Sequence, residues 1–166
     1  DAASTAAYGA VGKPVEGTLL TVVREAAQPH MDRGKTIEVL LNPSEGSSSA
    51  QPQIRRHPEI IHGLRNLVQN AVDFADERVV IELGWSKNRL TIEIADDGKG
   101  FSAQVIGRLG DPFMRSRRKA VSTQRPEYEG MGLGLFIAKT LLERTGAELW
   151  FSNGRASGDL PGARVN

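Results

Sequence analysis

Asn66 and Asn70 stand four positions apart in the stretch NLVQNAVDFA, so on a helix they share a face, one turn from each other. An amide side chain cannot act as a general base. Its oxygen can ligate a hard cation such as magnesium, which prefers oxygen and keeps several of its waters. His62 lies a further turn back, whereas Ile61, Leu64, Leu67, Val68, Ala71 and Val72 form the opposite, apolar side. The same pattern describes the solvated face of an ordinary amphipathic helix. Asn is a poor helix former, however, and Glu or Lys would serve a solvent face at lower cost in stability.

Two glycine-containing stretches offer chemistry of another kind. In DDGKGF, Asp96 to Phe101, an alternating run ends on a carboxylate able to accept from an exocyclic amine such as adenine's, and Gly98 and Gly100 let backbone approach a flat ring. A plain turn uses the same residues. In GMGLGL, at 130–135, glycines open a helix and expose amides at the positive end of its dipole, which suits a phosphate. A hinge before a buried helix has the same composition. No Gly-Lys-Ser/Thr follows, so this is not a P-loop. Between the two stretches, residues 107–129 carry Arg108, Arg115, Arg117, Arg118, Lys119 and Arg125 against Asp111, Glu127 and Glu129. They read as a phosphate-facing lid or as solvated surface; were Phe113 a stacking platform, they would resemble a nucleic-acid strip.

The elements that must hold these groups follow from periodicity and turn residues. A helix is predicted from Pro14 to about His30, a strand through Ile37, Val39 and Leu41, and a loop over 42–53. Pro58 then opens a helix reaching about Ala75, and two strands at 79–85 and 89–96 form a hairpin. After an irregular excursion at 102–132, a helix runs from Leu133 to about Thr145 and ends at Gly146. ELWFS begins a strand that pairs, through a glycine-rich turn, with ARV at 163–165. This order predicts an α+β fold, a two-layer sandwich with helices over one face of a mixed or mainly antiparallel sheet. A doubly wound nucleotide fold would have spread the strands between helices.

Composition narrows the function classes. A chain of 166 residues, 39% hydrophobic, supports one domain, with residues 1–13 as a flexible N-terminal arm and 14–166 as the folded unit. The net charge of +1 gives no global field for nucleic acid or an anionic membrane. No cysteine is present, which excludes thiolate chemistry and disulfides, and His30, His57 and His62 lack zinc spacings. No apolar run nears the roughly 20 residues of a membrane span, so a soluble domain is expected.

In combination the motifs are far more specific. NLVQNAVDFA, DDGKGF, GDPFMRSRR and GMGLGLFIAKTLLERTGAELWFSN, in this order and spacing, resemble the catalytic and ATP-binding domain of bacterial sensor histidine kinases, in the superfamily of gyrase, Hsp90 and MutL. The resemblance covers about residues 15–166. It implies the two-layer sandwich of that type, Mg-ATP as cofactor, Asn70 as magnesium ligand, and Asn66 where related ATPases keep a catalytic glutamate. It also implies an adenine box of Asp96, Gly98 and Gly100, with Phe113, Arg115, Gly130, Gly132, Leu133 and Gly134 around the triphosphate under a mobile lid at about 107–129. Its partners would be the dimerisation and histidine-phosphotransfer domain of the same kinase and a downstream response regulator, with the fragment itself monomeric and no nucleic acid involved. The full-length kinase would be anchored in the inner membrane. The forms NAVDFA and Arg33-Gly34 resemble the redox-responsive RegB/PrrB group. Two departures stand out: Asp73 occupies a position where many members have Lys or Arg, and none of the three histidines is followed by an acid as in a phosphoacceptor box. A degenerate, non-catalytic nucleotide- or protein-binding module is the alternative.

Overall fold

The computed structural model describes residues 16–47, 50–103, 106–110, 133–154 and 160–165. In chain order these form β1 (Glu16–Thr18), α1 (Leu19–Ala27), β2 (Thr36–Pro43), β3 (Gln53–Arg55), α2 (Pro58–Phe74), β4 (Arg78–Trp85), β5 (Leu90–Asp96), α3 (Leu133–Glu143), β6 (Phe151–Asn153) and β7 (Ala163–Val165), with 3-10 turns at Gln28–His30 and Ile106–Arg108. The main sheet has five strands in the order β2-β4-β5-β7-β6. Only β2 and β4 run parallel; β4-β5, β5-β7 and β6-β7 are antiparallel. The sheet is therefore mixed, with β5 at its centre.

Alternation along β4 decides which face is covered. Val79, Ile81, Leu83 and Trp85 point into the core and meet apolar residues of all three helices, among them Val22 of α1, Val68 of α2 and Ala138 of α3. Among the described residues the opposite face is closed only locally, where Leu160 packs on Val80 and Ala95. Each fully buried aliphatic side chain contributes about 1.5–3 kcal/mol, and this one-sided core fixes the three helices in a single layer. The predicted two-layer α+β architecture is what the chain adopts.

Pro58 occupies the first turn of α2 with Glu59 beside it, as the sequence predicts. Leu64, Leu67, Val68, Ala71 and Val72 are buried; Ile61 is only partly so. The Ser86 N–H donates to the Arg89 carbonyl at 2.8 Å and closes the predicted hairpin. The last helix ends in a Schellman arrangement: Ala147 N–H bonds the Leu142 carbonyl at 3.3 Å, Gly146 N–H the Glu143 carbonyl at 3.0 Å, and Gly146 takes φ +88°.

The N-terminal prediction needs correction. Residues 16–18 are not helical; they pair antiparallel with β3, which begins at Gln53, the last residue of the stretch expected to be loop. The helix begins at Leu19 because the Thr18 hydroxyl accepts from Thr21 N–H at 3.2 Å and caps it. Pro14, the expected start, and the arm at 1–13 lie outside the described residues. Leu41, expected inside, is 45% exposed.

The seating of α3 on α2 depends on Gly63. A Cβ there would stand 2.6 Å from the Leu142 Cγ and 2.9 Å from its Cδ2, so only a bare backbone allows this approach. Gly63→Ala should therefore destabilise the fold by about 1–3 kcal/mol, although alanine is the better helix former. In a denaturant double-mutant cycle, Gly63→Ala combined with Leu142→Ala should cost less than the sum of the single changes. Strict additivity would remove this contact from the α2-α3 interface.

Candidate functional site

β5 delivers Asp96 to the end of the central strand, where it is 1% exposed. Its Oδ1 accepts from the Gly98 N–H at 2.9 Å and the Ala163 N–H at 3.2 Å, while its carbonyl accepts from Gly162 N–H at 3.1 Å. One residue thus ties β5 to the following turn and to the start of β7. Two glycines are obligatory for the closure. A Cβ on Gly98 would lie 2.0 Å from the Phe74 carbonyl oxygen, and one on Gly162 would lie 2.1 Å from the Asp96 Oδ1. No bond to Oδ2 is present among the described residues, so that oxygen can accept from a ligand.

Burial drives the Asp96 pKa above the usual carboxylate value. The bonds from Gly98 and Ala163 oppose the shift, and the charges of Asp97 and Asp76 add to it. Asp97 behaves oppositely. Desolvation works against its charge, but backbone amides of Arg78, Glu77 and Asp76 outweigh it and hold the pKa below the usual value. Its carboxylate takes the Asp76 and Glu77 N–H groups at 2.9 and 3.0 Å, closing the chain just beyond α2.

Gly100 has φ +71°, and a Cβ there would come 2.7 Å from the Asn153 Oδ1. Asn153 explains this approach: its Oδ1 accepts from Phe101 N–H and its Nδ2 donates to the Phe101 carbonyl, both at 2.7 Å. Phe101 also meets Phe151 edge to face, at 6.1 Å between centroids. The turn at 98–101 is therefore clamped onto β6. Asn153 and Gly162 escape the sequence reading, because Ser-Asn-Gly and Pro-Gly signal a turn without naming what the turn touches.

The Phe74 carbonyl that excludes a side chain at Gly98 belongs to the last turn of α2, so this helix abuts the Asp96 turn. Asn66 and Asn70 lie earlier on α2, half-buried on the side away from Leu64, Leu67 and Ala71; His62 is exposed. Asp73, one turn beyond Asn70, is paired with Arg33 at 2.6 Å. Leu133 and Gly134 occupy the first turn of α3, where a Cβ on Gly134 would meet nothing within 4 Å. Phe113, Arg115, Gly130 and Gly132 lie outside the described residues, as does most of the expected lid. Among the described residues, no group of three or more His, Cys, Asp or Glu could hold a metal ion. The donor set at Asn66 and Asn70 consists of amide oxygens, which fits a magnesium ion that arrives already bound to phosphates and keeps its waters. No described helix is long and apolar enough to cross a membrane.

Residues 56–165 match the family of histidine kinase-, DNA gyrase B-, and HSP90-like ATPases. The chain belongs to that family. Over 139 residues it is 59% identical to the sensor histidine kinase RegB of Cereibacter sphaeroides, covering 83% of this chain but 30% of that protein. A second RegB sequence from the same species is 61% identical over 133 residues, 80% of this chain and 29% of that one. The chain thus spans less than a third of these curated relatives. Among solved structures, the mycobacterial sensor histidine kinase MprB superposes with a TM-score of 0.67 at 20% identity, over 91% of this chain and 94% of that one. The E. coli osmosensor EnvZ kinase domain superposes with a TM-score of 0.61 at 21% identity, over 93% and 88% of the two chains. These two likenesses establish the fold of the family.

The opposed pKa shifts give a test. A carboxylate with a raised folded pKa contributes stability fully present below its unfolded pKa and lost as pH rises through the folded value. Asp97, with a lowered pKa, contributes stability present above its unfolded value and lost as pH falls through the folded one. Asp96→Asn removes only the first dependence. The melting temperature of the variant minus that of the parent should therefore increase as pH goes from about 4 to about 7. A difference that stays flat over this range would mean that Asp96 ionises in the folded chain as it does in water.

Proposed function

We propose that this chain is the nucleotide-binding catalytic domain of a sensor histidine kinase, binding Mg-ATP and passing the terminal phosphoryl group to a histidine on a dimerisation domain outside the chain. The observation that carries the reading is the Asp96 carboxylate. It is buried, held by backbone on one oxygen, and has no bond to the other among the described residues. In this reading Oδ2 accepts from the exocyclic amine of adenine, and Gly98 and Gly100 let the turn beside it pack closely enough to hold the carboxylate in place. Asn66 and Asn70 present amide oxygens to the metal-phosphate end. Leu133 and Gly134, with Phe113, Arg115, Gly130 and Gly132, surround the triphosphate. Bound with the nucleotide, magnesium neutralises phosphate charge as it builds toward transfer.

The protein's own part is positioning. An amide at Asn66 cannot abstract a proton from water, which favours transfer to an incoming imidazole over hydrolysis. The acceptor is not expected within this chain: His30, His57 and His62 are followed by Met31, Pro58 and Gly63, none of them the acid of a phosphoacceptor box. The identity to RegB supports a place in that group, with a response regulator as the downstream partner and the cytoplasm, where ATP is available, as the location. A domain that binds nucleotide without transferring phosphate is the competing reading, and Asp73 is the observation that favours it.

Calorimetry and a mixing assay separate the readings. Asp96→Asn should weaken ATP by about 1.5–3 kcal/mol, the loss of a charge-assisted hydrogen bond, and GTP by much less. With labelled ATP, magnesium and a separately prepared dimerisation domain, the chain should place acid-labile phosphate on the latter. Asn70→Asp should abolish that transfer while leaving the melting temperature within a few degrees. Unchanged ATP affinity in Asp96→Asn would remove the adenine assignment, and binding without transfer would favour the non-catalytic module.

A further inference from the structure

Asp73 sets a problem for any nucleotide at this site. It follows Asn70 by three positions and Asn66 by seven, so all three share the outer side of α2. A bare carboxylate there would repel phosphates approaching the two amides. The structure gives it a cation from a distant part of the chain: an Arg33 terminal nitrogen lies 2.6 Å from the Asp73 Oδ1, with the two side chains 23% and 22% exposed. The pair is neither sealed in the core nor fully solvated.

The loop that brings Arg33 is tethered on both sides. Arg33 N–H donates to the His30 carbonyl at 3.3 Å, Gly34 turns the chain at φ +74°, Lys35 Nζ bonds the Asp76 carbonyl, and Thr36 N–H donates to the Glu77 carbonyl at 2.9 Å. Residues 33–36 are thus strapped to the end of α2. An arginine fixed in this way loses little freedom on meeting a ligand. A guanidinium carries five N–H donors in a planar fork, so a bond at one end to Asp73 leaves donors for phosphate oxygens at the other.

We propose that Arg33 is a phosphate-binding residue of the nucleotide site, with Asp73 as the positioning residue that holds its guanidinium on the outer face of α2. The cation absent from α2 at position 73 is supplied by the Arg33-Gly34 turn. This inference rests on the nucleotide reading above.

The test is binding of ATP, ADP and adenosine, with magnesium, to the parent chain, Arg33→Ala, Arg33→Gln and the double variant Arg33→Ala/Asp73→Lys, each checked for folding by circular dichroism. Both single variants should bind ATP and ADP roughly tenfold or more weakly, as expected for a lost charged bond, and adenosine within about twofold of the parent. The double variant should recover most of the ATP affinity, because it restores a cation at the site without restoring the ion pair. Equal losses for adenosine and ATP, or no recovery in the double variant, would make the pair a structural tie and overturn the inference. If the parent binds ATP and Arg33→Ala binds it equally well, the role of Arg33 alone fails. If the parent binds neither ATP nor adenosine, the nucleotide reading itself fails.

Discussion

At the end of the central strand, the Asp96 carboxylate is withdrawn from water and two backbone amides from distant parts of the chain, Gly98 and Ala163, close on one of its oxygens. A buried charge is costly unless hydrogen-bonded, and here the hydrogen bonds also make the connections. They tie β5 to the turn after it and to β7, whose register with β5 is short, Ile94 to Val165 and Ala95 to Arg164. The glycines at 98 and 162 follow as consequences, because a side chain at either would collide with the Phe74 carbonyl or with the carboxylate itself. Burial still leaves the Asp96 pKa raised. The folded chain thus retains a stressed carboxylate that a ligand donor would relieve, a common condition of binding sites.

The last turn of α2 is the second junction. Phe74 touches Gly98, the Asp97 carboxylate collects the Asp76 and Glu77 amides, and Arg33 and Lys35 reach the same end from the opposite side. A helix whose terminus is held by both loops presents Asn66 and Asn70 in one fixed orientation. Gly63 completes the arrangement by letting α3 lie close along the same helix. Positioning of this kind is the main contribution a protein can make to phosphoryl transfer, where little covalent chemistry is asked of it.

Much of this was legible in the sequence, for identifiable reasons. α2 combines Pro58 in its first turn with a sustained apolar period, and the β4-β5 hairpin combines β-branched alternation with a short polar turn, so local signals agree. The β1-β3 pair was hidden because three-residue strands carry no period, and a proline upstream offered a plausible helix start in place of Thr18. Arg33 with Asp73 and Asn153 with Phe101 join residues far apart in the chain. Composition can flag such residues as charged or turn-forming, but only the packing of α2 and β6 decides what they meet. Asp96, Gly98 and Gly100 were legible as a candidate, although the structural duty of Gly98 was not, and Gly162 gave no signal beyond a turn.

The central claim is that one carboxylate serves two masters, with the fold on Oδ1 and the base on Oδ2. A crystal structure of the chain with magnesium and a non-hydrolysable ATP analogue tests it most directly. The account predicts the exocyclic amine of adenine within about 2.7–3.2 Å of the Asp96 Oδ2, with the Gly98 and Ala163 amides still on Oδ1. A nucleotide bound elsewhere on the domain, with the Asp96 carboxylate contacting nothing but its own backbone partners, would contradict it.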